Sequence, residues 1–155
     1  MIKTEKEWQA EIKDNNVCMG AKPVDVSLPF RLNMPHAKLL CEKYRGQMIT
    51  IRNKEMQYKL FSQLAKILGN SDCEKDNRAW TGVSDEEQEG NFVDVYRGQR
   101  LDFLPFSPGE PNGEEDENCA FTTNCGSLWY DTDCDDKFYS FCEINQQPLL
   151  QIRGI

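Results

Sequence analysis

Oxygen-bearing side chains are concentrated in the last third of the chain, in a stretch that also carries cysteines. Its motifs, in chain order, are Gly109-Glu110-Pro111-Asn112, Glu117-Asn118-Cys119, Trp129-Tyr130-Asp131, Cys134 and Phe141-Cys142-Glu143. Five of the eight residues from 110 to 117 are acidic, and such a run repels itself unless it is solvated or bound to a cation. Calcium prefers about six to eight oxygen ligands from carboxylates, amide carbonyls and water. The pattern therefore indicates a calcium site on a loop anchored by cysteines.

Length and composition describe one soluble globular domain. The chain has 155 residues, of which 39% are hydrophobic and 28% are charged. No stretch approaches the ~18 consecutive apolar residues that a membrane-spanning helix needs. The net charge of −8 disfavours nucleic-acid backbones and anionic lipid surfaces as partners. We therefore expect no nucleic-acid binding and no membrane insertion.

The cysteine content indicates an oxidising compartment. Seven cysteines are more natural in an extracellular protein than in a cytosolic one. The first seven residues lack the apolar core of a signal peptide. We therefore expect an extracellular protein whose secretion signal lies outside this sequence, and interpret the chain as a module of a larger protein.

Two helices are predicted in the first half of the chain. Pro35 occupies a helix-start position, apolar residues follow to Tyr44, and Gly46 is expected to stop the helix. Asn53 is a good N-cap for a second helix, which has an apolar stripe and ends before Gly69.

Strands are predicted in the rest of the sequence. Residues 18–33 suit a short edge strand, and residues 48–51 suit another strand. Later candidates, separated by turns, are 79–83, 92–95, 119–122, 127–129 and 139–143. Between them, residues 84–118 form a long acidic loop of the kind that is often functional. Early helices followed by strands predict an α+β domain.

In this order, the residues resemble the C-type lectin-like domain over about residues 18–145. Trp80-Thr81-Gly82-Val83 stands where that family has a Trp-Ile-Gly-Leu core strand. Glu110-Pro111-Asn112 and Trp129-x-Asp131 stand at its ligand-binding loop and fourth strand. The resemblance implies an α+β fold of two helices and antiparallel sheets with a long calcium-binding loop region. Residues 1–17 would then be a lead-in or linker, and residues 146–155 a tail.

The resemblance also implies two disulfides, Cys41–Cys142 and Cys119–Cys134. Strand directions in such a fold bring Cys73 and Cys125 toward the end opposite the calcium loops, so these two form a plausible third pair, although sequence alone leaves the connectivity open. Cys18 would then pair with another module or chain, or stay free.

Position by position, the principal calcium ligands of the family fall on Glu110, Asn112, Glu117 and Asp131. In the family, such side chains hold calcium while it binds two adjacent sugar hydroxyls, and they also hydrogen-bond those hydroxyls. The resemblance therefore implies that Glu110, Asn112 and Glu117 also bind the carbohydrate. Glu-Pro-Asn resembles the version that favours mannose, fucose or N-acetylglucosamine, and the Glu110–Pro111 peptide is expected to be cis.

Tyr130 departs from the family pattern, because sugar-binding members usually place an asparagine there. A neutral phenol is a poor calcium ligand, so calcium is held more weakly with water filling the gap, or the sugar site is lost or reshaped. The ring of Tyr130 is also a candidate for stacking on a sugar face.

An auxiliary calcium ion is implied at a second set of residues. Asp85 and Glu89 match the first and fifth positions of the family stretch that binds this ion, and Asn118 stands where the family often has an aspartate ligand. The alternative is a solvated acidic surface loop.

Two functional hypotheses follow, and neither is enzymatic. His36 is the single histidine, which argues against a metal-hydrolase cluster or a Cys–His dyad. The first hypothesis is a calcium-dependent carbohydrate-binding module, mannose-type, in extracellular adhesion or glycan recognition in innate defence. The alternative is a protein-binding or structural module that uses the loops without sugar. Because single lectin sites bind weakly, either an oligomer or a multi-module parent protein is expected.

Overall fold

The computed structural model of the protein describes residues 23–69, 77–112, 116–125 and 127–145. The predicted lead-in, the tail, Cys18 and Cys73 lie outside these residues. The described elements are β1 (Pro23–Leu32), α1 (Met34–Lys43), β2 (Gly46–Met48), α2 (Lys54–Leu68), β3 (Arg78–Ser84), β4 (Val93–Asp94), β5 (Cys119–Thr123), β6 (Trp129–Thr132) and β7 (Phe138–Asn145). No helix among them is long and apolar enough to cross a bilayer.

The strands form one mixed, mostly antiparallel sheet. Its order is β1-β7-β3-β5-β6, with β2 added to β7 and β4 added to β3. The pairing of β3 with β7 is parallel, through Ala79 and Tyr139, and the other named pairs are antiparallel. Strand β7, the last of the described strands, therefore lies between β1 and β3. The α+β prediction is confirmed, and the β3–β7 pair adds a parallel contact to the antiparallel sheet that was expected.

The helices begin at asparagine caps. The side-chain oxygen of Asn33 accepts the backbone N–H of His36 at 2.8 Å, and that of Asn53 accepts the N–H of Met56 at 2.8 Å. These contacts satisfy backbone donors that the first helical turn leaves unpaired. Gly69 caps α2 in the left-handed conformation, at φ 67°, as predicted.

The predicted role of Gly46 as a helix stop is wrong. Helix α1 ends at Lys43, and the left-handed residue after it is Arg45, at φ 67°. Gly46 is the first residue of β2, where a Cβ atom would lie 2.0 Å from the carbonyl oxygen of Glu143. Its lack of a side chain allows β2 to approach β7.

Several strand boundaries differ from the sequence prediction. β1 has ten residues, and a register shift between Leu28 and Leu32 spans Pro29, which has no N–H for a regular ladder. The strand predicted at 48–51 instead covers Gly46–Met48, although the backbone of Ile49 and Ile51 still bonds to β7 and β3. The strand predicted at 127–129 instead covers Trp129–Thr132, because Ser127 takes a left-handed turn at φ 58°.

Two disulfides join the pairs that the family resemblance implies. Cys41–Cys142 links α1 to β7 with a Cα–Cα distance of 5.5 Å, and Cys119–Cys134 links β5 to the segment after β6 with a distance of 5.1 Å. The first closes a span of 101 residues and the second a span of 15. On a chain-entropy basis such loops stabilise by about 5 and 3 kcal/mol respectively.

Cys125 is also disulfide-bonded. Its predicted partner, Cys73, lies outside the described residues, so this pairing stays a prediction.

Candidate functional site

The loop before Glu110 is fastened to the edge strand β6 through Trp129. The backbone N–H of Trp129 donates to Pro105 and its carbonyl accepts from Ser107, both at 2.9 Å. Its fully buried indole N–H donates to the side-chain oxygen of Gln57 at 3.0 Å. The amide nitrogen of Gln57 donates to the Thr122 hydroxyl at 2.9 Å. A buried amide on α2 thus fixes the strand that carries the site.

Three phenylalanines pack this loop around the same tryptophan. The rings of Phe103 and Phe106 lie edge-on to Trp129, with centroids 5.5 and 6.1 Å away, and Phe92 lies 5.0 Å from Phe106. The long segment between β4 and β5 therefore has its own apolar anchor.

The predicted principal calcium residues Glu110, Asn112 and Asp131 meet at the end of this loop. The backbone N–H of Glu110 donates to Ser107 at 2.8 Å, and the peptide between Glu110 and Pro111 is cis. The backbone N–H of Asn112 donates to the Asp131 carboxylate at 3.0 Å. The Asp131 N–H donates to the Glu110 carboxylate at 3.3 Å. The loop and the edge strand thus exchange hydrogen bonds through the two acids.

The two acids are electrostatically unfavourable neighbours. Burial raises the pKa of Glu110 to about 7, helped by a side-chain hydrogen bond with Asp131 and by the charges of Asp131 and Glu117. The Asp131 side chain is buried. Burial also raises the pKa of Glu117, as do the charges of Asp131, Asp136, Asp116 and Asp133. A bound divalent cation would offset this concentration of negative charge.

Glu117 lies close enough to Glu110 and Asp131 for its charge to interact with theirs. Among the described residues, one group of three acidic or sulfur ligand atoms lies within 4.8 Å of one another, and it consists of Glu86, Cys119 and Cys134. Both sulfurs of that group are held in a disulfide, so it is no metal site. Among the described residues, Glu110, Glu117 and Asp131 do not form a group of that size, although their charges interact.

Tyr130 packs against an aromatic neighbour. It pairs with Phe121 across β5 and β6, and the two rings stack with centroids 5.3 Å apart and planes 22° apart. Phe138 lies 4.8 Å from Phe121 on the same cluster. Because side chains alternate along a strand, Tyr130 faces away from the side of β6 that carries Trp129 and Asp131.

Two of the predicted auxiliary calcium residues also lie together. The backbone N–H of Asp85 donates to the carbonyl of Asn118 at 2.9 Å. One carboxylate oxygen of Asp85 accepts the N–H of Gly90 at 2.8 Å, and the other is buried without a hydrogen-bond partner among the described residues. Leaving a buried carboxylate oxygen unpaired is costly, and a cation is a partner that would satisfy it. Glu89 is exposed and accepts a bond from Gly90 at 3.1 Å.

Gln57 positions the site, although it was not among the residues selected from the sequence. It is buried on the same face of α2 as Leu60, Phe61 and Leu64. A polar residue at a core position of an apolar helical stripe is the signal that would have identified it, because buried polar groups need partners.

Comparison with known proteins identifies the family. Residues 31–144 match the profile of the Lectin C-type domain. A curated relative, C-type lectin domain family 4 member M of Gorilla gorilla gorilla, is 32% identical over 119 residues, which cover 72% of this chain and 27% of that protein. The chain spans about a third or less of the length of the curated relatives it matches.

Solved structures share the fold at low sequence identity. The mouse scavenger receptor C-type lectin carbohydrate-recognition domain has a TM-score of 0.64 and 23% identity, covering 83% of this chain and 92% of its own. A calcium-independent type II antifreeze protein also has a TM-score of 0.64, with 18% identity, covering 83% of this chain and 91% of its own. By the family match over most of its length, this chain belongs to the Lectin C-type domain family.

Proposed function

We propose that the chain is a calcium-dependent carbohydrate-binding module that works outside the cell. The observation that carries the proposal is the contact between the Glu110 and Asp131 carboxylates, which burial and mutual repulsion make a poor arrangement for two anions. Oxygen ligands of this kind fit calcium. Glu110, Asn112, Glu117 and Asp131 would hold the ion, which when bound supplies coordination positions for two adjacent sugar hydroxyls.

The protein's own residues provide the orientation. The carboxylate of Glu110 and the amide of Asn112 flank the cis peptide and would also hydrogen-bond the sugar hydroxyls. Glu-Pro-Asn supports a preference for mannose, fucose or N-acetylglucosamine. Asp131 makes two hydrogen bonds to the loop, accepting one through its carboxylate and donating one through its backbone N–H, so it would keep the loop and the edge strand together.

A second, auxiliary ion belongs to the same proposal. Asp85, Glu89 and Asn118 would hold it, and the buried unpaired oxygen of Asp85 is the supporting observation. An ion there would bind next to the start of β5, at the base of the same loop region.

Glycan binding in calcium and in chelator tests the principal site. We expect mannose-type glycans to bind in calcium, and binding to be lost with a chelator or with Asp131→Asn. The variant Glu55→Gln, at an acid in the first turn of α2, is the matched control and should bind normally. Equal binding with and without chelator would contradict the calcium-bridged mechanism.

Calcium affinity is expected to fall by about tenfold from pH 8 to pH 6. The carboxyl of Glu110, with a pKa of about 7, must lose its proton to ligate calcium, and its ionised fraction falls about tenfold over that range. Titration calorimetry at both pH values, with buffers of different ionisation enthalpy at pH 7, measures the affinity and the protons released. An affinity that is constant between these pH values, with no proton release, would refute the assignment of Glu110.

The alternative function is a protein-binding module that does without sugar. The stacking of Tyr130 on Phe121 favours this alternative. Sugar-binding members of the family usually have an asparagine at this position, whereas here the side chain packs against a neighbouring ring. The calcium-independent antifreeze protein is a fold neighbour, so the fold itself does not require calcium.

Replacing Tyr130 with asparagine separates the two functions. We expect a loss of about 1 kcal/mol in the free energy of unfolding in chelator as the ring stack disappears. Calcium binding should become tighter if the shorter side chain at position 130 turns from the Phe121 face toward Asp131, because an amide oxygen is a calcium ligand. Tyr130→Phe is the control that keeps the ring and adds no ligand. If calcium affinity is the same in all three proteins, Tyr130 is not the weak point of the site.

A further inference from the structure

A cavity of about 240 Å³ opens at the end of the β5–β6 hairpin that is remote from Asp131. It lies between α2 and the turn that joins the two strands. Its lining residues are Gln57, Tyr58, Phe61, Ser62, Ala65, Asn124 and Ser127. We call it the neutral cavity, because none of these side chains is charged.

The absence of charge distinguishes this cavity from others on the described surface. Three other cavities each contain several ionic side chains: Arg52, Asp94, Arg97 and Glu143 in one, Lys38, Glu86, Glu87 and Asp94 in another, and Asp25, Lys59 and Lys66 in a third. In a chain that is 28% charged, a cavity lined by hydroxyls, amides and aromatic rings is matched to an uncharged polar ligand.

The floor of the neutral cavity is rigid. Gln57 is buried and uses both ends of its amide, toward Thr122 and Trp129. Phe61 is 7% exposed and packs edge-on against Phe141, with centroids 5.6 Å apart. A preformed floor lowers the entropic cost of binding.

The rim, by contrast, has groups that can meet a ligand. Tyr58 is 76% exposed, which makes it one of the two large apolar side chains most open to solvent among the described residues. The hydroxyls of Ser62 and Ser127 have no hydrogen-bond partner among the described residues, and hydroxyls both donate and accept. An aromatic face beside hydroxyl groups matches a pyranose ring, whose face presents C–H groups and whose edge carries hydroxyls.

We propose that the neutral cavity is a second saccharide-binding site that needs no metal ion. The sugar ring packs against Tyr58, and its hydroxyls hydrogen-bond to Ser62 and Ser127. The site uses none of the predicted calcium ligands, so the inference goes beyond the proposed function and does not rest on it. Two sites at opposite ends of a hairpin would let one module engage two parts of a branched glycan or two glycans.

Ligand-observed and protein-observed NMR of the full chain in chelator tests this inference. The probes are the methyl glycosides of mannose, galactose and N-acetylglucosamine at millimolar concentration. We expect saturation transfer to at least one glycoside, with shift changes confined to residues around Tyr58. Tyr58→Ala should weaken that binding about fivefold to tenfold, whereas Tyr58→Phe should retain it, because the ring supplies the packing.

A control variant makes the result decisive. Leu39→Ala, at an exposed residue of α1, controls for removing an apolar surface side chain and should not change binding in chelator. Because Tyr58 is exposed, its variants should fold, which their NMR spectra will verify. Absence of glycoside binding in chelator, or binding unaffected by Tyr58→Ala, would overturn the inference. Tyr58-dependent binding that persists while calcium-dependent binding is absent would sustain it and refute the proposed function alone.

Discussion

Excess calcium is expected to raise the midpoint of thermal unfolding by about 5–10 °C relative to chelator. A ligand present at about 100 times its dissociation constant adds about 2.7 kcal/mol to the free energy of unfolding, and in a chain of this size each kcal/mol shifts the midpoint by about 2–4 °C. The physical reason lies in Glu110 and Asp131, whose carboxylates contact each other and would share the charge of the ion. Differential scanning calorimetry in both buffers measures the shift.

The variant Glu110→Gln should change the unfolding midpoint differently in calcium and in chelator. It should remove the part of the calcium response that arises at the principal site, because it removes a charged ligand. In chelator at pH 8 it should melt no lower than the wild type, since the pKa of Glu110 is raised to about 7 and its charged form is disfavoured in the folded protein. For an acid with a raised pKa, the folded state holds more protons, so the stability it contributes is lost as pH rises toward and through 7.

An unchanged midpoint of the wild type in calcium would contradict the proposed function. Neither the principal nor the auxiliary site would then bind calcium at the concentration used, and the result would favour the protein-binding alternative. If calcium still stabilises Glu110→Gln by the full amount, the shift arises at another site, and Asp85→Asn is the variant that would locate it at the auxiliary residues.

Replacing Gly82 with alanine is expected to destabilise the fold by about 3–5 kcal/mol. Gly82 lies in the central strand β3 at φ +85°, and a Cβ atom there would lie 2.4 Å from the carbonyl oxygen of Ile49 and 2.7 Å from the Cα of Thr50. A left-handed backbone costs a residue with a side chain about 1–2 kcal/mol, and overpacking adds about 1–3 kcal/mol or more. That is a large part of the ~5–15 kcal/mol by which domains are stable.

The neighbouring segment has little freedom to move away. The N–H of Ile49 donates to Phe141 at 2.8 Å and that of Ile51 donates to Thr81 at 2.9 Å, so residues 49–51 are held between β7 and β3. The carbonyl of Gly82 accepts the Thr50 hydroxyl at 3.3 Å. A shift that made room for a methyl group would break these bonds.

Gly90→Ala is the matched control, because Gly90 has nearly the same backbone angle, at φ +82°, and no atom within 4 Å of an added Cβ. It should cost only the backbone term of about 1–2 kcal/mol. Denaturant unfolding of both variants in chelator measures the difference. Equal losses would show that the backbone angle alone, and not close packing, requires glycine in β3.

Local features of the fold were predictable where the chemistry is contained within a few residues. Asn53 and Gly69 bracket α2 because a cap acts on its own helix and needs no distant partner. Gly46 shows the limit of such reasoning. A glycine after an apolar helix predicts a helix stop, but the residue that makes it necessary is Glu143, nearly a hundred positions later.

The candidate site shows the same division. Residue types in order were sufficient to select Glu110, Asn112 and Asp131 through the family resemblance, and the structure brings these three into contact. The extent of β6 was mispredicted, because a strand at the edge of a sheet is defined by the partners it finds and not by its own few residues. Gln57 was missed for a related reason, since its role depends on an indole 72 positions away.

The sequence by itself determined the family, the α+β class and the supply of acidic and amide oxygens on a cysteine-anchored loop, because these follow from residue type and order. Only the tertiary structure decided which side of β6 each residue faces. Asp131 therefore hydrogen-bonds to the loop, whereas Tyr130 stacks on Phe121. The tertiary structure alone brought the uncharged residues of the neutral cavity together from α2 and the β5–β6 turn. The physical reason is that burial, pKa and packing are properties of neighbours in space, and the neighbours that matter here are far apart in the chain.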